Sequence, residues 1–296
     1  MQHTEFASSQ LPSTEQAIQF SSHKQQLSGI FTPGQQQTGL LVVVGGPQYR
    51  VGSHRQFVKL CRAVGAAGFA SLRFDVAGMG DSTGEASPFY LQQADMQAAI
   101  DQLFLLQPQL KSVLLWGLCD GASAILLSQR QQPDPRVRAV VLLNPWVRQQ
   151  HSYAQTLVKH YYLQRFSQKE FWQKLFSGKF QLTKSVQALW QNLRQARQQT
   201  KASPAPEHSN EQNYVAHMQQ GWQQFEQRSG QVTVITSGND LTAQEFLDLT
   251  KADSQWQQLL QQADHQHLPA ANHTFSTALW RQQVEQITVA CLQRLG

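Results

Sequence analysis

The sequence predicts an α/β fold: a doubly wound, mostly parallel sheet interrupted by one helical insertion. Three observations point there. From residue 40 onward, short Leu- and Val-rich runs alternate with helical patterns, and such runs bounded by turn residues mark strands buried on both faces. The alternation breaks between Trp146 and Ser229, where helical patterns follow one another without a strand. The length, 296 residues, suits one large domain carrying an insertion.

Taken in order, residues 1–14 read as a loose tail. LLVVVGG (40–46), FASLRFD (69–75), SVLLWG (112–117), RAVVLLN (138–144) and QVTVITS (231–237) are the buried strands, and DHQHLPA (264–270) is the last one. HRQFVKLCRAVGAAG, YLQQADMQAAIDQLFLL, GASAILLSQR, QEFLDLTKADSQWQQLLQQ and FSTALWRQQVEQITVACLQRL supply the helices between and after them. Strand-helix alternation with right-handed crossovers builds a doubly wound sheet. Residues 1–147 form the first part of this core, 148–228 the helical insertion, and 229–296 the second part. Within the insertion, SYAQTLVKHYYLQRF, KEFWQKLF, TKSVQALWQNLRQAR and EQNYVAHMQQGWQQFEQ are helical patterns, and KASPAPEHS is a polar loop.

Composition narrows the class. Hydrophobic residues make up 41% and charged residues 15%, as in an ordinary soluble protein. The first residues lack a basic and then apolar leader, and no run approaches the length of a membrane span, so the expected location is the cytoplasm. Cys61, Cys119 and Cys291 have neither metal-type nor redox-type spacing and read as reduced thiols. No metal or cofactor is expected, because the histidines and acids also lack ligand spacing.

Charge is uneven. Between Arg148 and Lys201 stand ten Lys or Arg against the single acid Glu170, although the whole chain carries only +5. Solvated helix faces account for such a run equally well. The sharper reading is attraction of an anionic carrier-linked substrate or peripheral contact with an anionic inner-membrane surface. Nucleic acid is not expected, since no binding fold or compact basic stripe is present. Nothing indicates the oligomeric state.

Two motifs compete for the role of nucleophile. Residues 80–84, GDSTG, spell the familiar G-x-S-x-G, and residues 117–121 read G-L-C-D-G. A nucleophile elbow needs a strand directly before it, small residues that permit a sharp turn, and a helix directly after it. GDSTG has loop on both sides, whereas SVLLWG runs straight into Cys119 and ASAILLSQ continues as a helix. Cys119 is therefore the expected nucleophile, its thiolate favoured by the helix dipole. The plain alternative is a small buried thiol.

In this architecture the acid and then the histidine follow the nucleophile. Asp240, after the strand QVTVITS, and His273, on the loop before the terminal helix, are the candidates. Asp248 lies within a helix, Asp264 precedes the last strand, and His265 and His267 alternate on that strand as packing or edge residues.

The motifs GGPQYRVGSHRQF, LRFDVAGMGDSTGE, VLLWGLCDGASA, VLLNPWVR and KHYYLQRF together resemble an α/β-hydrolase, specifically the exosortase A system-associated hydrolase of type 1. The resemblance covers residues 40–296 and implies a hydrolase with a Cys119–Asp240–His273 triad, in bacteria whose exosortase clusters carry exopolysaccharide genes. Similar cysteine elbows occur in dienelactone hydrolases and polyhydroxyalkanoate synthases, so the fold leaves hydrolysis and acyl transfer both open.

The expected chemistry is attack of the Cys119 thiolate on an acyl carbonyl, with His273 as base and Asp240 orienting it. The backbone N–H of Asp120 is one oxyanion donor. Pro47 has no N–H, so the second comes from Gly46 or Gln48, with Gln48 favoured. The Asp120 carboxylate beside the elbow would raise the thiol pKa unless it points away or pairs with a cation such as Arg50 or Arg55. Arg73, Asp75 and Ser82 read as loop braces. Arg50, Trp146, Tyr161, Tyr162 and Trp172 are the expected substrate contacts, with Phe171 beside them in an apolar acyl pocket. The expected function is a cysteine-dependent thioesterase or carboxylesterase acting on a small or carrier-linked acyl substrate. An acyltransferase using a glycan acceptor and a non-catalytic binding module are the alternatives.

Overall fold

The computed structural model describes residues 15–46, 48–148 and 213–296. Eight strands among them, β1 (Gln16–Ser22), β2 (Gln25–Thr32), β3 (Thr38–Val43), β4 (Ala70–Phe74), β5 (Ser112–Leu118), β6 (Val137–Leu143), β7 (Gln231–Asn239) and β8 (Asp264–Asn272), form one sheet. Their spatial order is β1-β2-β4-β3-β5-β6-β7-β8. From β4 across to β8 every pairing is parallel, and β2 alone runs against its neighbours β1 and β4. The mostly parallel, doubly wound sheet expected from the sequence is thus present.

Strand periodicity divides the core into two layers. Leu40, Val42, Leu114 and Trp116 face one way and pack with α1 (Gln56–Ala66) and α7 (Ala278–Gln293). Leu41, Val43, Val113 and Leu115 face the other way. They pack with α2 (Gln93–Leu106), α3 (Asp120–Gln131), α4 (Tyr214–Gln227), α5 (Leu241–Ala252) and α6 (Ser254–Gln262). Both faces of the central strands are buried, which is why they read as unbroken apolar runs.

Three expectations need correction. The β1–β2 hairpin was not expected at all, because QAIQFSS and QQLSGIFT are too rich in Gln and Ser to stand out; β1 is half-exposed at the sheet edge. The run 244–262, expected as one helix, is two: Asp253 adopts extended backbone and its carboxylate accepts from the N–H groups of Gln255 and Trp256, starting α6 afresh. Finally, α4 was assigned to the insertion but belongs to the core. Its Trp222 is fully buried, and Gly221 lies so close to α3 that a β-carbon there would stand 1.9 Å from the Leu126 carbonyl oxygen. The remaining helical patterns of the insertion lie outside the described residues.

Candidate active site

Cys119 stands at the junction of β5 and α3 with φ 61° and ψ −124°. For a side chain this backbone is sparsely populated and costs about 1–3 kcal/mol, so the surroundings must hold it. They do. The Cys119 N–H donates to the Leu143 carbonyl at 2.8 Å, and its carbonyl accepts from the N–H of Ala122 at 3.1 Å and of Trp146 at 3.2 Å. Ser123 Oγ donates to the Trp146 carbonyl at 2.7 Å, tying the start of α3 to the segment after β6. Small residues are obligatory here: a β-carbon on Gly121 would meet the Val43 carbonyl oxygen at 2.7 Å, and one on Gly45 would meet the Gly121 nitrogen at 2.3 Å.

Asp240 follows β7 directly, and His273 follows β8 directly. His273 Nδ1 and Asp240 Oδ2 are 2.9 Å apart, a bond that a carboxylate can only accept. The carboxylate of Asp240 also accepts from the N–H groups of Thr242 at 3.2 Å and Ala243 at 3.1 Å, capping α5. Cys119, Asp240 and His273 therefore all lie at the carboxyl ends of parallel strands, β5, β7 and β8. Ligand and catalytic sites of open α/β sheets form along this edge.

A residue that sequence reasoning passed over connects these parts. Asn144, fully buried with φ 44°, follows β6. Its side chain donates to Ser237 Oγ at 2.8 Å and to the His273 carbonyl at 3.3 Å, and accepts from the Ser237 N–H at 2.9 Å. Its neighbour Leu143 holds the Cys119 N–H, so adjacent residues at the end of β6 brace both the elbow and the histidine loop. The signal was visible: an Asn breaking the buried run VVLL, of a type that tolerates left-handed backbone.

The Asp120 carboxylate turns back toward the loop after β3. Its Oδ1 would lie 2.2 Å from a β-carbon on Gly45, and it faces the backbone N–H groups of Gly46, Gly121 and Asp120 itself. Oδ1 is buried and none of these N–H groups reaches hydrogen-bond geometry with it. Burial raises its pKa above the ordinary carboxylate range, against the pull of those amides and of His273 nearby. Arg50 is not its counter-ion. The Arg50 guanidinium is held by Asp75 and Asp81, and its backbone N–H donates to Asp75 Oδ1 at 2.6 Å. Expected to touch substrate, Arg50 is instead committed to a loop brace.

Ser82 of GDSTG belongs to the same brace. Its hydroxyl donates to the Asp75 carbonyl at 2.7 Å and accepts from the Ser28 N–H at 2.9 Å. Gln48, the favoured second oxyanion donor, uses its side-chain oxygen to accept from the Ser53 N–H at 3.3 Å; the N–H that faces the Asp120 carboxylate is that of Gly46. Trp146 reaches the elbow through its backbone. Tyr161, Tyr162, Phe171 and Trp172 lie outside the described residues. Cys61 and Cys291 are buried, and burial raises both thiols, Cys61 to about 11, which keeps them protonated at neutral pH. Among the described residues no group of three or more His, Cys, Asp or Glu is placed to hold a metal, and no helix is long and apolar enough to cross a membrane.

Sheet order, elbow and the histidine–carboxylate pair define an α/β-hydrolase. Within that class, residues 36–266 match the hydrolase family described as serine aminopeptidase S33, and the chain belongs to it. That description names serine, whereas this chain carries Cys119 at the elbow. No curated protein matches the sequence. Among solved structures, the Pyrococcus furiosus esterase Pf2001 superposes with a TM-score of 0.61 at 12% identity, covering 98% of this chain and 98% of that one. The ferulic acid complex of Est1E from Butyrivibrio proteoclasticus gives 0.58 at 13% identity, covering 93% and 98%. An alpha-beta serine hydrolase homologue from Coxiella burnetii gives 0.54 at 13%, covering 96% and 100%. At such identities the likeness is one of fold.

Proposed function

We propose that the protein is a cysteine-dependent acyl hydrolase of the thioesterase or carboxylesterase type. The observation that carries this reading is the left-handed Cys119 on a strand-helix elbow, at the same sheet edge as a His273–Asp240 pair 2.9 Å apart. In the proposed reaction His273 Nε2 takes the thiol proton, and the thiolate adds to the acyl carbonyl. The tetrahedral oxyanion is stabilised by the N–H groups of Asp120 and Gly46 once the Asp120 carboxylate that they face turns away from them. Collapse expels an alcohol or thiol that takes its proton from His273, leaving an acyl-thioenzyme. Water, deprotonated by His273, then releases the acid and restores the thiol. Esters and thioesters are favoured over amides, because an amine is a poor leaving group without strong acid assistance. The names of the esterase relatives agree with this preference.

The finer assignment rests on the motif resemblance stated for the sequence: a cytoplasmic enzyme linked to exosortase and exopolysaccharide metabolism. The substrate proposed is an anionic, small or carrier-linked acyl compound, to which the ten-to-one basic segment 148–201 would be complementary. Intact-protein mass spectrometry after incubation with acyl thioesters and p-nitrophenyl esters tests the reading. An acyl adduct is expected at Cys119 and none in Cys119→Ala. Full turnover by Cys119→Ala on every cleavable ester would sink it, and product found on an added hydroxyl acceptor would shift it to acyl transfer.

A further inference from the structure

The Asp120 carboxylate takes no part in the proposed chemistry, yet it faces the donors that the chemistry needs. The N–H groups before it are those of Gly46, Gly121 and Asp120 itself. The first and last of these are the donors assigned to the oxyanion. Gly45 makes the room: a β-carbon at that position would stand 2.2 Å from Asp120 Oδ1, whereas one on Gly46 would stand 3.7 Å away. Only glycine at position 45 admits this orientation of the carboxylate.

The fit is incomplete. Oδ1 is buried, and among the described residues no hydrogen-bond partner reaches it. A charged acceptor in that position has lost water without gaining a bond in exchange, so it is a displaceable occupant rather than a fixed strut. Asp75 shows the contrast, because its two oxygens are taken by the backbone N–H and the guanidinium of Arg50.

We propose that the Asp120 side chain is a resident competitor for the oxyanion hole, closing the site to an acyl carbonyl until it swings away. The proposal rests on the acyl-hydrolase reading above. A full negative charge holds the shared N–H groups more strongly than a neutral carbonyl does. The contest becomes even only when the carbonyl has turned into an oxyanion. The barrier to acylation therefore includes the expulsion of Asp120, which a substrate must drive through contacts away from its reacting bond. Small activated esters, with little else to bind, are the substrates that Asp120 disfavours most.

Two reactions of Cys119 separate the hole from the nucleophile. Acylation by p-nitrophenyl acetate, which releases p-nitrophenolate, passes through an oxyanion; alkylation by iodoacetamide, which releases iodide, needs the thiolate but no oxyanion donors. Both rates are read at Cys119 by peptide mass spectrometry in wild type, Asp120→Asn and Asp120→Ala, with Cys119→Ala as the blank. The isosteric Asn variant guards against a disturbed start of α3 in the Ala variant. Acylation should rise about tenfold in Asp120→Ala and less in Asp120→Asn, whose neutral amide oxygen competes more weakly than a carboxylate, while alkylation changes far less. A merely structural role would move Tm but not the ratio of the two rates. An equal change in both rates, or acylation that fails to rise in either variant, overturns the proposal. If Cys119 is alkylated but never acylated in any of the three proteins, the acyl-hydrolase reading fails and the competitor falls with it.

Discussion

Asp240 is asked to do two things that substitution can separate. Its carboxylate accepts from His273 Nδ1 at 2.9 Å and from the N–H groups of Thr242 and Ala243 at 3.2 and 3.1 Å. Asn ranks with Asp as an N-cap, so Asp240→Asn keeps the start of α5. It cannot stabilise an imidazolium, and by the precedent of the serine triad turnover should fall about 10²–10⁴-fold, or roughly 3–5 kcal/mol of barrier. Asp240→Ala loses the cap as well. That costs about 1 kcal/mol and lowers Tm by roughly 2–4 °C in a chain of this size. Initial rates of p-nitrophenyl acetate hydrolysis, paired with differential scanning calorimetry, read the two effects apart. The expected pattern is Asn stable but slow, Ala unstable and slow. An Asn variant that turns over at the wild-type rate would remove Asp240 from the reaction and leave it as a helix cap.

Three further outcomes follow from the geometry. Ser82→Ala should lower stability by about 1–2 kcal/mol through the two bonds its hydroxyl makes, while the turnover of the folded protein stays within about twofold; a large loss of turnover at unchanged Tm would return the serine motif to contention. Gly221→Ala forces a β-carbon to 1.9 Å from the Leu126 carbonyl oxygen. It should separate α4 from α3 at a cost of about 1–3 kcal/mol in urea unfolding, so an unchanged midpoint would mean the helices are not packed as described. Burial raises the pKa of Asp120 in the fold. Its contribution to stability is therefore present below the unfolded pKa and lost as pH rises through the folded one. Asp120→Asn, which cannot ionise, should have a higher Tm than wild type at pH 7, with the difference vanishing in acid where both side chains are neutral; a difference that does not change with pH would refute this.

The five central strands were legible because each is buried on both faces along most of its length and so written as a short apolar or β-branched run bounded by turn residues. Cys119 was legible from its neighbours rather than its letters: strand, glycines and helix distinguish it from GDSTG, whose serine is spent on Ser28 and Asp75. What could not be read was direction. The sequence puts a carboxylate next to the nucleophile, but only the backbone turn at Gly45 and Gly46 leaves it room to fold toward the Gly46 amide. Arg50 likewise sits in a loop that points equally well at a substrate or at Asp75 and Asp81; long-range pairing chose the second. The β1–β2 hairpin was missed because an edge strand is stabilised by its ladder partner more than by its own residues.

Trp146 gives the chain a mechanical property. Its N–H grips the Cys119 carbonyl and its own carbonyl is gripped by Ser123, both at the start of α3. Both bonds act on the elbow through its backbone, so Ser123→Ala, which removes one of them, should register in the reactivity of Cys119 although neither bond involves the thiol.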